Sequence, residues 1–292
     1  MNHKAGFVSI VGKPNAGKST LMNLFVGEKL SVITPKAQTT RHRIIGIYND
    51  ENHQVVFSDT PGIMEPKYEL HNIMLSYVDA AIKDADLIML LISVDEPDNG
   101  MDEILNRLKE SKKKFIIVLN KSDICPKEQT DSRVAFWTER ANPEAIFAIS
   151  ATNKIKTDAL FKYILDRLPE SPPFYDKAEI TDKTERFFAA EIIREKIFLN
   201  YEQEIPYSCD VAIEEFKEKP DITVIRASIV TERDSQKGIL IGDKGSSLKK
   251  VGVEARQDLE KLLGKKVFLE LHVKVQKDWR KNKGVLKFYG YK

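Results

Sequence analysis

An apolar run, FVSIV (7–11), leads directly into Gly12-Lys13-Pro14-Asn15-Ala16-Gly17-Lys18-Ser19, and a helical pattern follows. This is G-x-x-x-x-G-K-S set between strand and helix, the context in which that spacing binds phosphate. The glycines let backbone N–H groups turn inward around phosphate oxygens, and the helix that follows presents its positive end to the same anion. Lys18 is predicted to reach the outer phosphates and the Ser19 hydroxyl to coordinate Mg2+. The motif specifies a nucleotide without saying which.

The motif opens a longer alternation. Apolar runs at 7–11, 54–59, 87–93, 115–120 and 145–150 are separated by amphipathic stretches such as 101–113 and 130–140. Buried strands alternating with helices predict an open α/β sheet covered on both faces. The runs near 43–49 and 54–59 are joined only by NDENH, which predicts a hairpin and hence one antiparallel edge strand.

Base identity is predicted from Asn120-Lys121-Ser122-Asp123 at the C-terminal end of the fourth run, where open α/β sheets bind ligands. A carboxylate there accepts two hydrogen bonds from guanine N1–H and the 2-amino group, and adenine has no matching donors. The Lys121 stem can cover the base, and Asn120 can tie neighbouring loops. Between the two motifs lies Asp59-Thr60-Pro61-Gly62, with Asp59 placed to hold Mg2+ through water and Gly62 to donate its N–H to a γ-phosphate. Ser150-Ala151 ends the last run and is predicted to touch the base through backbone N–H groups.

In order and spacing these elements resemble the translation-factor-type GTPases, and Lys36-Ala37-Gln38-Thr39-Thr40-Arg41-His42-Arg43 resembles the first switch of the Era family. That resemblance implies that Thr40, or failing it Thr39, supplies a second Mg2+ ligand when GTP is bound. Ras-like enzymes orient the attacking water with a glutamine just after the D-x-x-G glycine. Here that position is Ile63, so slow intrinsic turnover is expected. Some Era-related enzymes use K+ bound through the phosphate-loop asparagine. Asn15 matches it, and turn geometry is the competing reason for an asparagine there.

Charge is distributed unevenly. The net charge is +2, but residues 1–170 carry 22 basic and 23 acidic side chains, 171–236 carry 9 and 15, and 237–292 carry 15 and 6. The last segment suits a polyanion, or is a solvated basic face. It contains Gly242-Asp243-Lys244-Gly245, a G-x-x-G pattern that lets backbone approach a nucleic-acid strand. The surrounding helix–strand–strand–helix–helix–strand order resembles a KH domain in its bacterial arrangement, as in the Era family. The resemblance implies RNA contacts from Ile241, Gly242, Asp243, Lys244, Gly245, Lys249 and Lys250, with the 3′ end of small-subunit (16S) rRNA as partner and 30S assembly as the task. Phe288, Tyr289 and Tyr291 either stack on bases or pack the terminal segment.

The expected organisation is therefore an α/β P-loop GTPase domain over 1–170, a proline-containing linker over 171–184 and an α+β KH domain over 185–292. No apolar run approaches the ~20 residues of a membrane helix, no secretory signal is expected, and Cys125 and Cys209 fit a reducing compartment. The expected location is cytoplasmic, with peripheral inner-membrane contact implied by the resemblance. The competing class is a signalling or membrane-associated GTPase whose basic domain binds a protein or anionic lipid.

Overall fold

The computed structural model describes residues 3–291, which fall into two compact units. One comprises the chain up to Pro66 together with Met74–Asp182; the other comprises Lys67–Ile73 together with the chain from Lys183 onward.

The first unit is built on strands β1 (Lys4–Val11), β2 (Ile44–Asn49), β3 (His53–Asp59), β4 (Leu87–Ser93), β5 (Phe115–Asn120) and β6 (Ile146–Ala148), in the order β2-β3-β1-β4-β5-β6. All neighbours are parallel except β2 and β3. The hairpin between those two is closed by Asp50, whose carboxylate accepts from the N–H groups of Asn52 and His53, both at 2.7 Å. Every residue of β4 is buried, as a central strand covered on both faces requires. Helices α1 (Lys18–Val26), α2 (Glu69–Asp84), α3 (Met101–Ser111), α4 (Lys127–Ala141) and α5 (Thr157–Arg167) connect the strands. One core joins Ile88, Leu90 and Ile92 of β4 to Ile104 and Leu108 of α3 and to Trp137 of α4.

The proline-containing stretch after α5 lies on this unit. Ile47 N–H donates to the Ile180 carbonyl at 2.8 Å, and Thr181 Oγ1 donates to the Ile45 carbonyl at 2.7 Å. Gln54 Oε1 accepts from the N–H groups of Phe174 and Tyr175, at 2.6 and 3.0 Å. Phe174 also packs against Phe7, with ring centroids 4.8 Å apart. Residues 170–182 thus form a strap along the edge strand β2. They satisfy main-chain groups that an outermost strand would leave unpaired.

The second unit contains α6 (Glu185–Asn200), α7 (Ile205–Ser208), β7 (Asp210–Glu218), β8 (Ile222–Thr231), α8 (Asp234–Ile241), α9 (Ser246–Leu263), β9 (Lys266–Val275) and α10 (Lys283–Phe288). The sheet order is β7-β8-β9, antiparallel then parallel. Thr184 caps α6 by accepting from the Phe187 N–H. The core is formed by Ile193 and Ile197 of α6, Ala227 and Ile229 of β8, Leu240 of α8, and Val251 and Ala255 of α9. The terminal segment is anchored by Trp279, which is fully buried and donates its indole N–H to the Ser208 carbonyl at 2.9 Å. Tyr291 is buried as well, so it packs; Phe288 is 82% exposed. Lys292 lies outside the described residues.

Candidate functional site

The phosphate loop leaves β1 at Gly12 and enters α1 at Lys18. Gly17 sits at φ +98°, and a Cβ there would fall 2.2 Å from Asn120 Nδ2. Only glycine allows that turn and that approach together. Pro14, Asn15, Gly17, Lys18 and Ser19 line a cleft of about 390 Å3 together with Thr34–Lys36, Thr39, Thr40, Gly62, Asn120, Lys121 and Thr152. The backbone of Lys13 belongs to the loop, but its ammonium turns away and donates to the Pro97 carbonyl at 2.8 Å. Ala16 is buried beneath the loop.

Lys18 Nζ donates to the carbonyls of Lys13 (2.8 Å) and Gly12 (3.2 Å). Burial pulls its pKa down to about 8, against the fields of Asp59 and Glu96. Three oxygens converge beside it. Ser19 Oγ donates to Asp59 Oδ2 at 2.6 Å and lies 3.0 Å from Thr40 Oγ1, which is 3.4 Å from the same carboxylate oxygen. Asp59 is fully buried, and its Oδ1 has no hydrogen-bond partner among the described residues. Burial raises the Asp59 pKa, and Lys18 and the hydroxyls of Ser19, Ser31 and Thr40 oppose that. An all-oxygen set with one carboxylate and an open carboxylate oxygen is what a hard divalent cation takes. Thr39 instead pairs with Thr34 Oγ1 (2.6 Å) and the Lys36 carbonyl (2.7 Å), so Thr40 is the threonine at this cluster.

Thr60 and Pro61 are buried after β3, with Thr60 Oγ1 donating to the Ile10 carbonyl at 2.8 Å. Ile63 is buried and its N–H donates to the Gly12 carbonyl at 3.0 Å.

On the base side, Asn120 Nδ2 donates to the Ala16 carbonyl at 2.8 Å and Asn120 Oδ1 accepts from the Ala151 N–H at 2.9 Å. Lys121 follows at φ +62°, and the exposed Asp123 carboxylate accepts from Asn153 Nδ2 at 3.0 Å. The Ser150 N–H is spent on the Ile155 carbonyl at 3.1 Å. The N–H groups of Ser150 and Ala151 are therefore both engaged within the protein, and Thr152 is the residue of that loop that lines the cleft. The sequence reading missed Thr152 and Asn153. Their signal was their position immediately after Ser150-Ala151.

In the second unit Gly242-Asp243-Lys244-Gly245 joins α8 to α9. Gly242 has φ +71°, and a Cβ on it would meet Ser247 Oγ at 2.2 Å. Asp243 and Lys244 are exposed at the tip. Gly245 of the loop and Leu248, Lys249, Gly252, Val253 and Arg256 of α9 face Val267, Phe268, Leu269 and Leu271 of β9 across a cleft of about 480 Å3. Lys249 lines it. Lys250 pairs with Glu254 at 4.0 Å, and Ile241 packs on the core. Leu248, Gly252, Arg256 and the half-exposed Phe268 were not singled out from the sequence, although the 248/252/256 spacing marks one helix face.

A guanine-type base loop beside a phosphate loop, followed by a G-x-x-G cleft on an α+β sheet, defines a P-loop GTPase joined to a KH domain. Two family models match accordingly: a "50S ribosome-binding GTPase" over residues 7–121 and a "KH domain" over 204–280. The chain belongs to the Era family of GTPases. It is 43% identical to GTPase Era of Geotalea daltonii, over 98% of this chain and 97% of that one. It is also 43% identical to GTPase Era of Caldicellulosiruptor saccharolyticus, over 100% and 98%. The crystal structure of Era in complex with MgGDPNP and nucleotides 1506–1542 of 16S ribosomal RNA superposes with a TM-score of 0.95 at 41% identity, covering 99% of each chain. Among the described residues no helix is long and apolar enough to cross a membrane.

Proposed function

We propose that this GTPase is a Mg2+-dependent switch that binds the 3′ end of small-subunit rRNA through its KH cleft and assists 30S subunit assembly. The observation that carries the reading is full-length similarity to an Era chain solved with MgGDPNP and a 16S rRNA segment.

Ser19, Thr40 and Asp59 would hold the Mg2+, which when bound neutralises charge between the outer phosphates. Lys18 exchanges its two loop carbonyls for phosphate oxygens. Asp123 reads the guanine edge, and Asn120 keeps the base loop registered on the phosphate loop. Residues of the 34–40 segment line the cleft with Thr40 beside Ser19 and Asp59, so a γ-phosphate and Mg2+ that bind this arrangement more tightly would hold the switch ordered. Ile63 brings no polar group to an attacking water, and intrinsic turnover is correspondingly slow. Asn15, whose amide donates to the Pro35 carbonyl at 2.9 Å, joins the phosphate loop to the switch and is the residue to hold K+ there. Hydrolysis is then faster in K+ than in Na+ at matched ionic strength, and Asn15→Ala removes the difference.

RNA that prefers the GTP form also tightens GTP by the same factor. The test is binding of a short RNA matching the small-subunit rRNA 3′ end, beside a scrambled RNA, with GDP or a non-hydrolysable GTP analogue. Sequence-selective binding, favoured by the analogue and lost in the Gly242→Asp, Gly245→Asp variant, supports the reading. Binding that ignores RNA sequence and both glycines overturns it in favour of a GTPase whose basic unit meets anionic lipid or protein.

A further inference from the structure

We infer that Lys13 and Glu96 form a clasp that sets the conformation of the phosphate loop, with Glu96 as a positioning residue lying outside the nucleotide cleft. The inference rests on the guanine-nucleotide reading of that cleft.

Lysine at the second position of a phosphate loop is a free cation within reach of phosphate unless something else holds it. Here the Lys13 ammonium donates to the Pro97 carbonyl at 2.8 Å and lies 3.6 Å from Glu96 Oε1. The two side chains are 15% and 16% exposed, so the pair is shielded from bulk water. Lys13 is absent from the cleft lining, which leaves Lys18 as the loop cation directed at the ligand.

Glu96 is itself held. Its N–H donates to the Ser93 carbonyl at 3.0 Å, and its Oε2 accepts from the Ser93 N–H at 3.4 Å. Arg133 of α4 donates to the Glu96 carbonyl at 3.2 Å and to both oxygens of Asp98 at 3.0 and 2.7 Å. Val94 N–H donates to the Asn120 carbonyl at 3.0 Å. The turn after β4 is thus bolted to α4 and to the start of the base loop, and Lys13 fastens the phosphate loop to that rigid bracket. The consequence is local. The carbonyls of Gly12 and Lys13 that hold Lys18, and the N–H groups that follow them, stay in one arrangement before ligand arrives.

Charge and position predict opposite signs. A carboxylate near Lys18 repels phosphate, so removing its charge alone tightens nucleotide binding. Removing the clasp loosens the loop and weakens it. The experiment measures release of fluorescent GDP from the full chain by stopped flow, together with competition by GMP, for Lys13→Met, Glu96→Gln and the double variant. Each single variant is expected to release GDP about tenfold faster, and the double no faster than either single, because contacting residues share one coupling. GMP competition should stay unchanged, since GMP lacks the β-phosphate that the loop encloses, whereas general loosening of the unit would weaken GMP in parallel. Lys13→Arg, which keeps charge and donors, should restore wild-type release. Slower or unchanged release in Glu96→Gln overturns the clasp, as do additive effects in the double variant or parallel loss of GMP. Failure of the wild-type chain to hold GDP would instead refute the nucleotide reading, a separate result.

Discussion

Asn120 and Ala16 are 104 residues apart, yet the Asn120 amide donates to the Ala16 carbonyl at 2.8 Å from a site only 2% exposed. The same carboxamide accepts from the Ala151 N–H. One side chain thereby holds three loops: the phosphate loop, its own and the one at Ala151.

Asn120→Ala should leave a carbonyl and an N–H buried without partners, at about 1–3 kcal/mol each before relaxation. The expected outcome is a lower melting temperature and a loss of GDP affinity of at least about tenfold. Thermal unfolding and titration with labelled GDP would check it. Unchanged GDP affinity in a folded variant would show that the loops keep their register without this side chain.

Asp123 is exposed and, among the described residues, its carboxylate is held by Asn153 alone, so its replacement should spare the fold. Asp123→Asn should turn preference from guanine towards xanthine nucleotides, because the amide donates where the carboxylate accepted. Competition between GTP and XTP reads this directly. A variant that still prefers GTP by the wild-type margin would remove Asp123 from base recognition.

The cleft between α9 and β9 predicts RNA contacts outside the glycine loop. Phe268→Ala should weaken RNA binding by about 1–3 kcal/mol if a base stacks there. Arg256→Ala should weaken it and flatten its salt dependence by about one unit of slope. Filter binding across a salt series separates the two. Wild-type affinity in both variants would move the contact surface elsewhere.

Glu214 of β7 accepts from Ser228 Oγ at 2.6 Å and pairs with Lys274 of β9. Those partners lower its pKa below the usual carboxylate value. A depressed folded-state pKa means the contribution is present above the unfolded value and is lost as pH falls through the folded one. Glu214→Gln should therefore be less stable than the wild-type chain near neutrality, by a small amount because the pair is largely exposed, and the difference should vanish as pH falls through the folded-state pKa. An NMR titration placing Glu214 at or above the ordinary carboxylate value would contradict the pairing.

Much of this was legible in the chain. The phosphate loop, D-T-P-G and N-K-S-D are contiguous and sit where a strand ends, so each carries its own backbone geometry. β2 and β3 announced themselves because only four or five polar residues separate two apolar runs. The groove side of α9 was half legible: Lys249 and Gly245 stood out by type, whereas Leu248, Gly252 and Arg256 matter because β9 lies opposite. Tyr291 and Phe288 have similar side chains three positions apart, and only packing separates the buried one from the exposed one. The Lys13–Glu96 contact spans 83 positions between two charged surface-type residues, a pairing no local pattern encodes. The strap was hardest. Its prolines and polar residues read as a spacer, and its attachment runs largely through main-chain groups that carry no side-chain signature.

That strap bears on how the protein is made. Chain synthesis is vectorial, and when α5 has just left the ribosome the edge of β2 still exposes the Ile47 amide and the Ile45 carbonyl. Such an edge recruits other strands. The first unit is closed only when Thr181 has emerged, so a fragment ending at residue 170 should be more prone to self-association than one ending at Asp182, and the nascent chain passes through that same vulnerable interval each time it is translated.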